Sequence, residues 1–148
     1  IIAVGNDNLT IVKYLVEHGA EIDHKNIQGN TPLMITSKHN KVEIAQLLID
    51  KGCDINLVNN LGRTALYEAT ENKSTDIVKL LVSKKADINL QTSEGKTPLM
   101  TAIGINAKEI ITEVGVWQRS SYADDGNFHS TISSRSCFTY SHAIIFSS

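Results

Sequence analysis

The side chains best suited to chemistry are two cysteines, Cys53 and Cys137, five histidines, and scattered serines and carboxylates. A serine or cysteine nucleophile needs a base within hydrogen-bonding reach, and a zinc site needs cysteine or histidine ligands at short fixed spacings. Neither arrangement is present. Cys53 occupies the same place in a repeating pattern as Ala20 and Ala86, which makes it a small core residue. His18, His24 and His39 fall at different places in that pattern and share no ligand spacing. Ser120, Ser121, His129 and His142 lie in a C-terminal stretch where nothing holds a nucleophile against a base. Asp124, Asp125, Gly126 and Asn127 have the composition of part of a calcium loop. They lack its alternating oxygen ligands and closing glutamate, so a polar turn is the plainer reading. The glycines are dispersed along the chain, so no phosphate-cradling loop forms. The expectation is a chain with no catalytic residue, no metal and no cofactor.

Composition narrows the partners. The net charge of -2 arises from 14 basic and 16 acidic residues that alternate throughout, which gives no basic field to hold a phosphate backbone. Nucleic acid is therefore not an expected partner. No apolar run approaches the roughly 20 residues that span a bilayer, and the opening IIAVGND lacks the basic start and long apolar middle of a signal peptide. Two cysteines build no disulfide framework. These features point to an intracellular, cytoplasmic protein with 41% apolar content, enough for a sizeable core.

The elements that position these residues come from a period of 33. The phrase GNTPLM at 29–34 returns as GRTALY at 62–67 and GKTPLM at 95–100. The same step aligns IVKYLVEHGAEID from Ile11, IAQLLIDKGCDIN from Ile44 and IVKLLVSKKADIN from Ile77. Thr31, Thr64 and Thr97 are placed to cap helix starts, and Pro32 and Pro98 suit a first helical position, where no N–H is needed. A short helix then runs to about His39, and Asn40 with Lys41 makes a tight turn. In the second helix Ile44, Leu47 and Leu48 give an apolar stripe at i, i+3 and i+4. Gly19 and Gly52 follow its end, where a left-handed residue is wanted. A unit this small cannot hide its stripe alone, so each must cover its neighbour.

This pattern resembles the ankyrin repeat, whose period and Thr-Pro-Leu opening it shares over about residues 1–114. The resemblance implies an all-α solenoid of antiparallel helix pairs with hairpin-like fingers. It implies a non-catalytic scaffold that binds another protein, as a monomer or as part of a longer repeat array. An alternative is an accessory region of a larger enzyme, channel or effector whose active part lies elsewhere. Family binding surfaces are the finger tips and the concave side of the first helices. Here the tips are Ile27, Gln28, Asn30, Asn60, Leu61, Arg63, Ser93, Glu94 and Lys96. The concave helix face comprises Ile35, Lys38, Glu68, Glu71 and Thr101. Asn56 and Asn89 correspond to family asparagines that tie a loop to the following repeat.

Several positions depart from the family. The histidine that usually follows Thr-Pro-Leu is replaced by Met34, Tyr67 and Met100. Lys85 stands where Gly19 and Gly52 stand. The units read as 1–28, truncated, then 29–61, 62–94 and 95–114, incomplete. Ile1 falls midway along a first helix, which leaves an apolar face uncovered and suggests more protein upstream. In the last unit Glu113 takes the place of Leu47 and Leu80, and Gly115 follows, so the second helix is expected to fail there. Segment 115–148 is rich in serine and lacks leucine and lysine. Three readings of it stay open: a disordered tail, an irregular cap over the fourth unit, or translation out of the natural frame.

Overall fold

The computed structural model describes residues 1–124, with side chains described as far as Trp117. Over this span the chain is all-α. Its helices are α1 (Ile2–Gly5), α2 (Leu9–Glu17), α3 (Pro32–Lys38), α4 (Val42–Asp50), α5 (Ala65–Glu71), α6 (Thr75–Ser83), α7 (Pro98–Gly104) and α8 (Lys108–Asp124). None of them is long and apolar enough to cross a membrane.

Helices α3, α5 and α7 begin in the same way. The hydroxyls of Thr31, Thr64 and Thr97 accept the backbone N–H of Met34, Tyr67 and Met100 at 3.3, 3.1 and 3.2 Å. These bonds satisfy donors that a helix start leaves orphaned. The turn into the second helix needs a left-handed residue, and Asp7, Asn40, Lys73 and Asn106 provide it at 33-residue intervals, with φ between 53° and 57°. The second helix ends on another, at Gly19 (φ 84°), Gly52 (φ 86°) and Lys85 (φ 62°). A side chain held there costs about 1 kcal/mol. Lys85→Gly should therefore raise the melting temperature by roughly 4 °C, as read by a thermal circular-dichroism scan; an unchanged or lower value would contradict this account of the turn.

The first helices pack side by side as α1, α3, α5, α7, and the second helices as α2, α4, α6, α8. Between the two rows lies one continuous core. Ile44, Ile77 and Ile110, in equivalent positions, are at most 1% exposed, whereas Ile11 in the first unit is 48% exposed. Leu48, Leu81 and Val114 are likewise buried while Leu15 is 43% exposed. Ile110 and Val114 are covered in the last of the units and Ile11 and Leu15 are not covered in the first, so this stripe faces the first-helix row and the preceding unit. Ile11, Tyr14 and Leu15, all on α2, are the exposed apolar residues of that end.

One expectation fails. The helix expected to break at Glu113 and Gly115 continues to Asp124. A glycine costs a helix about 1 kcal/mol without forbidding it, and Ile110, Ile111 and Val114 remain buried on α7 and α6. That burial outweighs the weak local preference. His129, Cys137, His142 and the stretch 125–127 lie outside the described residues, and the side chains of Ser120, Ser121 and Asp124 lie beyond those described.

Candidate binding surface

The fingers are shaped by side chains that sequence reading passed over. In the first, the Asn26 carboxamide oxygen accepts the N–H of Gln28 and of Asn30 at 3.0 and 2.9 Å. Asn59 does the same for Leu61 and Arg63, and Thr92 for Glu94 and Lys96. A backbone bond closes each turn, from Asn26 to Asn30, Asn59 to Arg63 and Thr92 to Lys96. The one available signal was a short polar residue recurring every 33 positions just before each tip.

Fingers are also joined to one another. Asn60 donates its backbone N–H to the Gln28 carbonyl at 3.2 Å, and Ser93 donates to Leu61 at 2.9 Å. The Asn60 carboxamide donates to the Ile27 carbonyl, and Asn59 to the Asn30 side chain at 2.7 Å. Behind the fingers, the Asn56 side-chain oxygen accepts the Asp87 N–H at 2.9 Å, and Asp23 accepts that of Asp54. Asn56 thus ties its loop to the next unit. The close approach requires glycine: a Cβ on Gly29 would lie 2.5 Å from the Asn60 side-chain oxygen, and one on Gly62 would lie 2.8 Å from the Ser93 nitrogen.

The candidate residues fall into distinct settings. Ile27 is 95% exposed and Leu61 57%, their carbonyls held at the ridge by the Asn60 carboxamide and the Ser93 backbone N–H. Gln28, Asn60, Ser93, Glu94 and Lys96 are exposed, and Asn30 and Arg63 half-buried. Lys96 and Glu94 pair at 2.7 Å in solvent, which lowers the carboxyl pKa and raises that of the ammonium through their hydrogen bond and charge. On the first helices Ile35, Glu71 and Thr101 are half-buried and Lys38 exposed.

Glu68, on the same face, is only 8% exposed. Arg63 reaches from its finger to α5, donating from Nη1 to Glu71 Oε2 at 2.7 Å and approaching Glu68 Oε1 at 3.6 Å. Its guanidinium lies over the Tyr67 ring, 5.1 Å from the centroid, so the residue in the family's histidine position supports the cluster through a cation–π contact. Burial raises the Glu68 carboxyl pKa, and Arg63 opposes this only in part. A carboxyl with a raised folded pKa binds its proton more tightly when folded, so its charge opposes folding above that pKa and ceases to do so as pH falls. Glu68→Gln should therefore stabilise the chain at neutral pH, with the gain shrinking in acid. Urea midpoints of the two proteins across pH 4 to 7 read this; a midpoint lower in the variant at neutral pH would contradict it.

Burial, followed by the charges of Asp23 and Asp54, pushes the Cys53 thiol up to about 12, so it is not the thiolate that a nucleophile or a metal requires. Among the described residues no group of histidine, cysteine and carboxylate is placed to hold a metal.

The comparisons agree with this geometry. A family model described as ankyrin repeats (3 copies) matches residues 1–92 and 58–114. No curated protein matches the chain. Capped helix pairs at a 33-residue interval, left-handed turns in register and fingers bonded in series lie within the matched span, and the chain belongs to the ankyrin repeat family.

Proposed function

We propose that this chain is a non-catalytic scaffold that binds another protein through its finger ridge and the concave face of α3, α5 and α7. Ankyrin repeats are in general protein-interaction modules. The observation that carries the reading is a contrast between columns. Positions that stack units repeat the same apolar types and are buried, whereas Gln28, Leu61 and Glu94, or Ile35, Glu68 and Thr101, differ from unit to unit. The bonds between fingers fix the ridge before a partner arrives, so little ordering entropy opposes docking.

The test compares the chain with an Ile35→Asp/Leu61→Asp/Lys96→Glu variant as baits in cell extract, after circular dichroism shows both folded. Proteins retained by the first and lost by the second are expected. Identical captured sets would overturn the assignment of this surface.

A further inference from the structure

Equivalent positions on neighbouring first helices put Ile35, Glu68 and Thr101 in one row across the concave face, with Lys38, Glu71 and Gly104 in the next. At the centre of the first row is a carboxylate whose side chain is 10% exposed. The short hydrogen bond of Arg63 goes to Glu71, leaving Glu68 an ion pair at 3.6 Å, longer than a hydrogen bond. Arg63 at 3.6 Å is the ion-pair partner of the Glu68 carboxylate, and its row neighbours, Ile35 and Thr101, carry no charge. One guanidinium is thus shared between two carboxylates. Lys38, exposed on α3, offsets the Glu68 charge more weakly than Arg63 does.

A carboxylate nine-tenths out of water whose ion pair is long and shared with a second carboxylate is costly, and a charged donor delivered to it recovers part of that cost. A neutral donor would supply a hydrogen bond without the opposing charge. We propose that Glu68 is the recognition point of the concave face, and that the partner is a protein segment placing a lysine or arginine side chain against it. This rests on the protein-binding reading above and gives the partner its chemistry. The same carboxylate that burdens the fold then serves binding, so Glu68→Gln moves stability and affinity in opposite directions, which a merely structural role would not do.

The probe is a set of peptides selected from a random displayed library on the folded 148-residue chain. Those seated on the concave face are identified by loss of binding to an Ile35→Arg/Thr101→Arg variant that circular dichroism shows to be folded. Each of these should carry a lysine or arginine whose replacement by norleucine or citrulline weakens binding to the natural chain roughly tenfold or more. The same replacement should cost nothing on Glu68→Gln, so that the two changes are coupled. Concave-face peptides that bind Glu68→Gln as tightly as the natural chain would overturn the role of Glu68 while leaving the surface intact. If no selected peptide is lost on the Ile35/Thr101 variant, the concave-face reading fails and the proposal falls with it.

Discussion

Leu81→Ala lowers the unfolding free energy by about 3 to 5 kcal/mol, the upper part of the range for leucine truncation in a core. Leu81 is fully buried in α6, where it belongs to the stripe shared with Leu48 and Val114. The lost methyl groups leave a cavity lined by neighbouring helices, which close-packed units cannot readily collapse. Such a loss is a large share of the 5 to 15 kcal/mol typical of a domain. Leu80, its half-buried neighbour, should cost clearly less on the same substitution. Urea denaturation of the two variants reads the difference, and equal midpoints would show that the stacking stripe is misassigned.

The second large effect separates two glycines that look alike in the sequence. Gly62 and Gly95 both have positive φ, 71° and 76°. At Gly62 an added Cβ would also meet the Ser93 nitrogen at 2.8 Å and the Thr92 carbonyl carbon at 3.1 Å, both backbone atoms of the following finger. At Gly95 nothing lies within 4 Å. Gly95→Ala thus bears only the left-handed penalty of about 1 kcal/mol, whereas Gly62→Ala adds overpacking and should cost about 2 to 4 kcal/mol. Thermal unfolding of both variants measures this. Losses of the same size would mean that the fingers do not touch as described.

Much of this fold is written in local signals. Threonine before a leucine-rich helix, glycine or asparagine at left-handed turns, and an apolar stripe at helical spacing act within a few residues, so the units and their helices are legible from the repeats alone. The fate of each stripe residue is less so. Leu80 and Leu81 are the same residue type side by side, and only the direction of the neighbouring helices decides that one is half-buried and the other sealed. Gly115 shows the reverse error, a local helix breaker overruled by the burial of Ile110, Ile111 and Val114.

The binding surface was legible in outline and not in energetics. Register alone places Ile27, Leu61 and Glu94 near finger tips. It does not show that Asn26, Asn59 and Thr92 hold those tips, because the bonds run from a side chain to backbone groups and leave no pattern of charge or hydropathy. Nor does it show that Glu68 is buried. That follows from the crowding of α3, α5 and α7 and from Arg63 leaning across from a finger, contacts set by tertiary packing.

The central claim is that neighbouring units are bonded into a ridge held rigid before any partner binds. It is tested most directly by amide hydrogen exchange at Asn60 and Ser93, whose N–H groups donate to Gln28 and Leu61 in the preceding fingers. Both amides sit at exposed tips, where an unbonded loop would exchange at nearly the rate of an unstructured peptide. Protection comparable to that of the α5 and α6 amides is the predicted result, and free exchange at either position would contradict a preformed ridge.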